Sequence, residues 1–344
     1  MTARIICGSQ TSLAVTDPSS IGECRRIAKR MAEGFNFDEA TTGRICIVAT
    51  ELATNIQRHA GAGTLLLQVL DDGLQPEFEL LAIDRGPGMV DVNQCMRDGF
   101  STAGTAGTGL GAISRQSKTF DLFSCSERGT VVLSRVSAKH SGPNSRAARN
   151  ASLELGAISV AVAGEIECGD AWRIAEDDAT VGIMIADGLG HGALAASASS
   201  AAAAAFVLKP FDPPSTAMTT FHRVLSGSRG AAAACALLHP TQCTIDYAGV
   251  GNISGMVVTG ERARGMVSHN GTLGLQLLRA QQFEYAWPAG STIVMHSDGL
   301  SARWNLANYP GLGQRHCAII AGILYRDFGR PRDDATVLVL RYQR

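Results

Sequence analysis

The chain has 344 residues, of which 45% are hydrophobic and 18% charged, and its formal net charge is −1. This length predicts about two globular domains. The lack of a basic excess argues against a surface for nucleic acid or for an anionic membrane. The nine cysteines form no Cys-x-x-Cys pair, so we expect reduced thiols in a cytoplasmic protein rather than a zinc site. The N-terminus shows no signal-peptide pattern, and no apolar run has the ~20 residues of a membrane span.

A polar, basic segment interrupts the apolar patterning at 137–152, with the sequence SAKHSGPNSRAARNAS. Such a composition is typical of a linker, so we predict one domain at 1–136 and another at 153–344. In chain order, the first domain is predicted to contain a strand at 4–7, helices at 18–34 and 40–60, strands at 64–70 and 77–83, a glycine-rich loop at 86–107, a helix at 110–118, and strands at 120–125 and 130–136. This order predicts an α+β sandwich with helices on one face of a mixed sheet.

The second domain is richer in strands. We predict strands at 153–164, 171–175, 180–186, 231–238, 244–248, 254–259, 291–296 and 335–341, and helices at 193–208, 214–226 and 313–328. Helices inserted into such a series of strands indicate a two-sheet sandwich flanked by helices.

Four short motifs in the first domain point to a nucleotide. Glu51 and Asn55 are four residues apart and therefore lie on one helical face, where a carboxylate and an amide can serve a hydroxyl group and a Mg²⁺ ion. Asp84 ends a predicted strand and can accept a hydrogen bond from an adenine amino group. The glycines that follow it in DRGPGM allow the backbone to approach the ring.

The other two motifs follow the glycine-rich loop in the chain. The segment GTGLG at 107–111 opens a helix, whose N-terminal amides can face a phosphate. Thr130 begins the last strand and offers a second contact at the base. Each motif alone is common in turns and loops; their order and spacing together are specific.

With these motifs the first domain resembles the GHKL ATPase and kinase superfamily, and most of all the anti-sigma-factor serine kinases of the RsbT type. The resemblance implies that Asn55 binds Mg²⁺, that Asp84 contacts the adenine of ATP, and that Glu51 is the catalytic base that takes the proton of a substrate serine. It also implies a set of nucleotide-binding residues, namely Gly86, Gly88, Gly107, Thr108, Gly109, Leu110, Gly111 and Thr130.

The second domain carries short acidic motifs at the ends of its apolar strands: GD at 169–170, DGLGHG at 187–192, SDG at 297–299 and DDAT at 333–336. If these strand ends meet, several carboxylates are crowded together, which requires a compensating cation. Oxygen ligands of this kind favour Mg²⁺ or Mn²⁺, and two such ions can activate a water against a phosphoryl group.

The ordered motifs resemble the PPM-type phosphatases in their SpoIIE and RsbX subgroup, which implies an α-β-β-α sandwich with two Mn²⁺ or Mg²⁺ ions. By this resemblance, Asp187 bridges the metals, the Gly188 carbonyl is a ligand, Asp298 and Asp333 bind one metal, and Asp170 acts mainly through water. His191 either protonates the leaving serine oxygen, orients water or packs against the site. Asp334 is interpreted as a possible cap of the last strand. No phosphate-binding arginine is evident near the start of this domain.

We therefore predict a bifunctional regulator of partner switching, an ATP-dependent serine/threonine kinase and a metal-dependent serine/threonine phosphatase. Its expected partners are STAS-domain antagonist proteins, with no nucleic acid and no membrane. One alternative is a phosphatase whose first domain only binds ATP and sequesters partners, since the predicted lid at 100–106 contains no Lys or Arg. A third interpretation is a sensor related to the histidine kinases.

Overall fold

The computed structural model describes residues 3–73, 75–89, 91–92, 109–138, 153–277 and 279–342. Its internal contacts divide the chain into two compact units. The nucleotide unit contains Gly8–Arg149 and Gln314–Arg326, and the aspartate unit contains Met1–Cys7, Asn150–Gly313 and Asp327–Arg344. Compared with the predicted divisions 1–136, 137–152 and 153–344, the two exchanged segments Met1–Cys7 and Gln314–Arg326 each belong to the other unit. The predicted domain boundaries stay a prediction.

The nucleotide unit is built on helices α1 (Pro18–Gly34), α2 (Glu39–Asn55) and α3 (Gly109–Gln116). α1 begins at Pro18 because the Asp17 carboxylate accepts hydrogen bonds from the Ser19 and Ser20 amides, and Asp38 caps α2 through the Thr41 amide in the same way. A π-helical turn, Ile56–Ala60, follows α2. The predicted helix at 40–60 is therefore two different elements.

Five strands form the sheet of this unit in the order β1–β2–β3–β5–β4. They are β1 (Arg4–Val15), β2 (Gly63–Asp71), β3 (Glu77–Asp84), β4 (Thr119–Cys125) and β5 (Gly129–Ser137). Side chains of α2, such as Ile45 and Leu52, form one core with Leu67, Phe78 and Leu80 on one face of the sheet, and the buried apolar residues of α1 belong to the same core. β1 is longer than the predicted strand 4–7, and its first residues belong to the other unit.

Helix α6 (Cys317–Phe328) packs against the nucleotide unit's sheet, although its residues follow the predicted linker. A β-carbon at Gly322 would lie 2.8 Å from Val131 Cγ1 and 3.3 Å from Leu81 Cδ2. These two side chains alternate along their strands with the residues that face α1 and α2, so α6 covers the opposite face. The helices predicted on one face are present there, and α6 is an addition that the sequence pattern did not predict.

Two sheets form the aspartate unit. The first has the order β13–β10–β9–β8–β7, with β14 beside β10, and Arg4–Ile6 of β1 pairs antiparallel with β7. Its strands are β7 (Asp170–Glu176), β8 (Val181–Gly188), β9 (Ala231–His239), β10 (Thr244–Val250), β13 (Ser268–His269) and β14 (Phe283–Ala286). Helices α4 (Ala193–Leu208) and α5 (Pro214–Val224) cover this sheet with a core that includes Phe206 and Phe221.

The second sheet has the order β12–β11–β15–β16–β6. Its strands are β6 (Leu153–Val160), β11 (Ser254–Thr259), β12 (Arg262–Met266), β15 (Thr292–His296) and β16 (Ala335–Tyr342). The α+β class is thus confirmed for the chain, while β12, β13 and β14 were not predicted. No helix in the described part of the chain is long and apolar enough to cross a membrane.

Candidate functional site: a nucleotide pocket and a carboxylate cluster

Glu51 and Asn55 stand one turn apart at the end of α2 and face the first residue of α3. A β-carbon at Gly109 would lie 3.2 Å from Glu51 Oε2 and 3.5 Å from Asn55 Oδ1. The start of α3, whose first amides lack partners within the helix, is therefore beside a carboxylate and an amide oxygen. This combination can hold a phosphate, a Mg²⁺ ion and a hydroxyl group together.

Asp84 ends β3 and is fixed from both sides by the backbone. Its Oδ1 accepts hydrogen bonds from the amides of Gly86, at 2.8 Å, and Thr130, at 3.1 Å. Burial raises the pKa of Asp84, while these two hydrogen bonds and the charges of Arg326 and His59 oppose the rise. Because both amides use Oδ1, Oδ2 is the oxygen that can accept from an adenine amino group.

The protein's own packing gives a further reason for two predicted glycines. A β-carbon at Gly86 would lie 2.7 Å from Ala60 Cβ. Gly88 has a φ of 72°, and a β-carbon there would lie 2.1 Å from the Cys125 carbonyl oxygen. Larger residues are excluded at both positions by these neighbouring atoms, so their role toward a nucleotide stays a prediction.

The remaining residues predicted to bind the nucleotide lie in different surroundings, and their role stays a prediction. Leu110 is half-buried and packs against the core beneath α1 and α2, and Gly111 lies in the first turn of α3. Gly107 and Thr108 lie outside the described residues, as do the predicted lid at 100–106 and residues 139–152 of the linker. The π-helical turn that brings His59 near Asp84 follows from no sequence pattern noted above.

In the aspartate unit, the chain brings four predicted carboxylates together. Asp170 begins β7 and Asp187 lies near the end of β8, and the two residues are direct partners in the antiparallel register. Asp298 follows β15, and Asp333 precedes β16, the strand paired with β15. Beyond the effect of burial, the negative charge of Asp298 raises the pKa of both Asp187 and Asp333, which shows that these carboxylates lie close together.

This proximity is electrostatically costly. Burial raises the pKa of Asp187, and the negative charges of Asp170, Asp298 and Asp333 raise it further. Burial also raises the pKa of Asp170, although the Ser297 hydroxyl donates to its Oδ2 at 2.7 Å. Oδ1 of Asp170 is buried and, among the described residues, has no hydrogen-bond partner. An orphaned carboxylate oxygen within a group of acids fits a divalent cation.

The donors offer oxygen only, which suits Mg²⁺ or Mn²⁺. Within the described ranges, no three His, Cys, Asp or Glu side chains converge tightly enough to hold an ion alone. An ion here would therefore need water and backbone oxygens in its shell. The resemblance implies that the carbonyl of Gly188, the residue after Asp187, is such a backbone oxygen.

Asp334 has a different role from its neighbour Asp333. Its Oδ1 accepts from the Val162 amide at 2.7 Å, and its Oδ2 accepts from the Gly169 amide at 2.9 Å. It therefore ties both ends of the loop between β6 and β7 to the start of β16, rather than only capping that strand. The same loop carries Glu165, whose Oε1 lies 2.7 Å from Nδ1 of His191.

The Glu165–His191 pair lies beside the motif that supplies Asp187 and Gly188. The Glu165 carboxylate can accept a hydrogen bond from a protonated Nδ1 of His191. This would fix the tautomer and the orientation of the ring, and Nε2 takes no part in the contact. The imidazole is 64% exposed, so a substrate can reach it. Glu165 has no sequence motif of its own, because only the folded loop brings it to His191, 26 residues away.

Comparison with known proteins finds a family match for each half of the chain. The histidine kinase-like ATPase domain matches residues 14–135, and the Stage II sporulation protein E (SpoIIE) family matches residues 177–343. The serine/threonine-protein kinase RsbT of Bacillus subtilis (strain 168) is 31% identical over 123 residues, which make up 36% of this chain and 92% of RsbT. The chain belongs to the RsbT family. Its second half is a SpoIIE-type phosphatase domain.

Two solved structures each resemble a little more than half of the chain. One, from work on the bacterial stressosome as a modular system adapted to control secondary messenger signalling, is 28% identical with a TM-score of 0.51 and covers 55% of this chain and 99% of its own. RsbX in complex with magnesium is 20% identical with a TM-score of 0.50, over 56% of this chain and 97% of RsbX. The likeness to RsbX shows that the two proteins share a fold. The predicted combination of an RsbT-like and a SpoIIE-like domain is thus confirmed.

Proposed function

We propose that the chain is a bifunctional regulator that phosphorylates and dephosphorylates a serine or threonine of STAS-domain proteins. The observation that carries the proposal is the group of Asp170, Asp187, Asp298 and Asp333 in one chain with an RsbT-like nucleotide unit. The families imply use of ATP and of divalent metal; the STAS client and turnover by the kinase half are our proposals. Opposing activities in one chain keep their ratio fixed.

In the nucleotide unit, Asp84 binds the adenine through Oδ2, and Asn55 holds the Mg²⁺ that accompanies ATP. The amides at the start of α3 face the phosphates. Glu51 accepts the proton of the client's hydroxyl group as that oxygen attacks the terminal phosphorus. The proximity of Glu51 and Asn55 to Gly109 supports this assignment.

In the SpoIIE-type domain, Asp187, Asp298, Asp333 and the Gly188 carbonyl bind the metals, and Asp170 acts mainly through water. Two divalent ions, when bound, supply an activated water and neutralise phosphoryl charge. Glu165 holds His191, and the His191 imidazole gives a proton to the serine oxygen as it leaves. The exposure of His191 and its short contact with Glu165 support the role of a proton donor.

Phosphate transfer from labelled ATP to a STAS protein that binds the chain tests the kinase half. We expect acid-stable phosphoserine or phosphothreonine, and its loss in Glu51→Ala with ATP binding retained. Glu39→Ala, at the first residue of α2, is the matched control and keeps transfer. ATP binding without transfer to a verified partner would favour the alternative of a sequestering module, whereas acid-labile phosphate would indicate a histidine kinase.

Hydrolysis of p-nitrophenyl phosphate with Mn²⁺ tests the phosphatase half. Asp187→Asn removes the carboxylate predicted to bridge the metals, and we expect activity to fall to background. Asp178→Asn, in the turn before β8, provides the control and retains activity. An active Asp187→Asn protein would overturn the metal assignment.

A further inference from the structure

Arg229 is an exposed arginine in the turn between α5 and β9, outside the acidic motifs and the nucleotide motifs. Its guanidinium lies over Gly190, because a β-carbon at Gly190 would be 2.9 Å from Arg229 Nη1. Gly190 has a φ of 89° and lies between the Asp187–Gly188 pair and His191. A positive charge therefore stands beside the segment that joins the metal-binding carboxylate to the proposed proton donor.

The backbone around Arg229 is fixed in place. The Leu189 amide donates to the Gly230 carbonyl oxygen at 3.0 Å, which joins the turn directly to the Gly190 segment. The Ser228 hydroxyl donates to the Leu225 carbonyl oxygen at 2.6 Å and accepts from the Gly230 amide at 3.0 Å. These hydrogen bonds fix the backbone from which the Arg229 side chain extends.

No ion pair or hydrogen bond engages the Arg229 side chain within the described parts of the chain. Within these residues Arg229 therefore forms no ion pair with the carboxylates of the site, although it lies beside the loop that follows Asp187. A guanidinium that extends from a fixed turn and forms no hydrogen bond within the described residues suits a dianionic phosphate, which it can bind through two parallel hydrogen bonds.

We propose that Arg229 binds the phosphoryl group of the substrate in the SpoIIE-type site. This inference rests on the proposed phosphatase activity and adds to it the phosphate-binding cation that the start of the domain lacks. Arg229 lies in the turn that precedes β9, against the Gly190 segment that also carries His191. The substrate class is a phosphoserine or phosphothreonine monoester, whose product is inorganic phosphate.

The test compares Arg229→Ala and Arg229→Lys with the wild type, in the full chain with Mn²⁺. We expect Arg229→Ala to raise KM for p-nitrophenyl phosphate about tenfold and to weaken competitive inhibition by inorganic phosphate to a similar extent, as for loss of one bidentate contact. Arg229→Lys should restore part of both constants. Arg223→Ala, which removes an exposed arginine from the last turn of α5, is the matched control and should change neither.

A direct measurement separates binding from turnover. Inorganic phosphate is titrated calorimetrically into Mn²⁺-loaded wild type and Arg229→Ala, and the affinity for phosphate should weaken in the variant alone. Wild-type hydrolysis with unchanged KM and unchanged phosphate affinity in Arg229→Ala would overturn the inference and leave the phosphatase proposal intact. Absence of hydrolysis by the wild type would instead contradict the proposed function.

Discussion

Arg326 donates a hydrogen bond from Nη1 to the backbone oxygen of Asp84, across 3.3 Å. The donor belongs to α6 and the acceptor ends β3, so a helix that follows the predicted linker supports the residue expected to bind adenine. Arg326 is buried, and its charge also lowers the pKa of Asp84 against the effect of burial. Support of Asp84 therefore depends on a segment 242 residues away in the sequence.

Replacement of Arg326 by alanine should weaken ATP binding about fivefold to tenfold, since a buried hydrogen bond from a charged group contributes roughly 1.5–3 kcal/mol and part of that loss falls on Asp84. Titration with a fluorescent ATP analogue measures the effect. Arg315→Ala is the control, because Arg315 lies just before the same helix and pairs with Asp121. Equal weakening in both variants would indicate a general effect of lost charge.

Two glycine substitutions in the nucleotide unit should change its stability in opposite directions. Gly129 has a φ of 86°, and a β-carbon there would lie 2.1 Å from the Asp84 carbonyl oxygen, so Gly129→Ala should lower the free energy of unfolding by about 2 kcal/mol or more. Gly43 lies exposed within α2, and a β-carbon there would meet nothing within 4 Å, so Gly43→Ala should raise it by about 0.5–1 kcal/mol. Urea unfolding followed by far-ultraviolet circular dichroism checks both signs.

Without divalent metal, the aspartate unit should become less stable as pH rises from about 4. The pKa values of Asp170 and Asp187 are raised in the folded chain from the ordinary value of 3.8, so folding retains protons that the unfolded chain releases. Stability is fully present below the unfolded pKa and is lost as pH rises through the raised folded values. The Tm in EDTA should thus fall between about pH 5 and 8, and Mn²⁺ should restore it at about pH 8.

Tryptophan fluorescence makes this measurement specific. The chain has three tryptophans, Trp172, Trp287 and Trp304, and all belong to the aspartate unit. Asp187→Asn should weaken the dependence of the Tm on pH in EDTA, because the amide does not titrate. A Tm that rises over the same pH interval in EDTA would contradict the assigned direction of the shifts.

Glu165→Gln should lower kcat of the phosphatase about tenfold to hundredfold with little change in KM, because the charge that fixes the His191 tautomer is lost. Glu167→Gln, an exposed carboxylate in the same loop, should leave kcat unchanged. If Glu165 acts through His191, the double variant with His191→Ala should be no slower than His191→Ala alone. Additive losses would show that Glu165 acts independently of His191.

Local patterns predicted the parts of the fold that local physics determines. The helix at 18–34 has the predicted bounds, since the Asp17 cap and Pro18 mark its start. Each acidic motif follows or precedes an apolar strand, so the sequence alone predicts that the aspartates lie at strand ends. The extension of β1 to Val15 was missed because the strand crosses from one unit to the other and has no single buried face to set its alternation.

Contacts between distant segments left no comparable signal. Nothing local to Arg326 indicates that it meets Asp84, and nothing in the loop at 161–169 indicates that Glu165 meets His191. Arg229 was likewise missed because its neighbour Gly190 is 39 positions away (229 minus 190) and meets it only across a turn. The positions of these residues depend on tertiary contacts, whereas the acidic motifs are apparent from sequence alone.

Because of the exchanged segments, a cut at a single point in the chain cannot yield two complete units. Truncation in 137–152 would give a first fragment whose Leu81 and Val131 lack α6, and a second fragment in which the Ile174 edge of β7 lacks Ile6. Each product would expose apolar surface that the intact chain buries, so each would need the other fragment, or a substitute helix or strand, to remain in solution. A proteolytic cut within the predicted linker should therefore give two fragments that copurify, rather than two that separate.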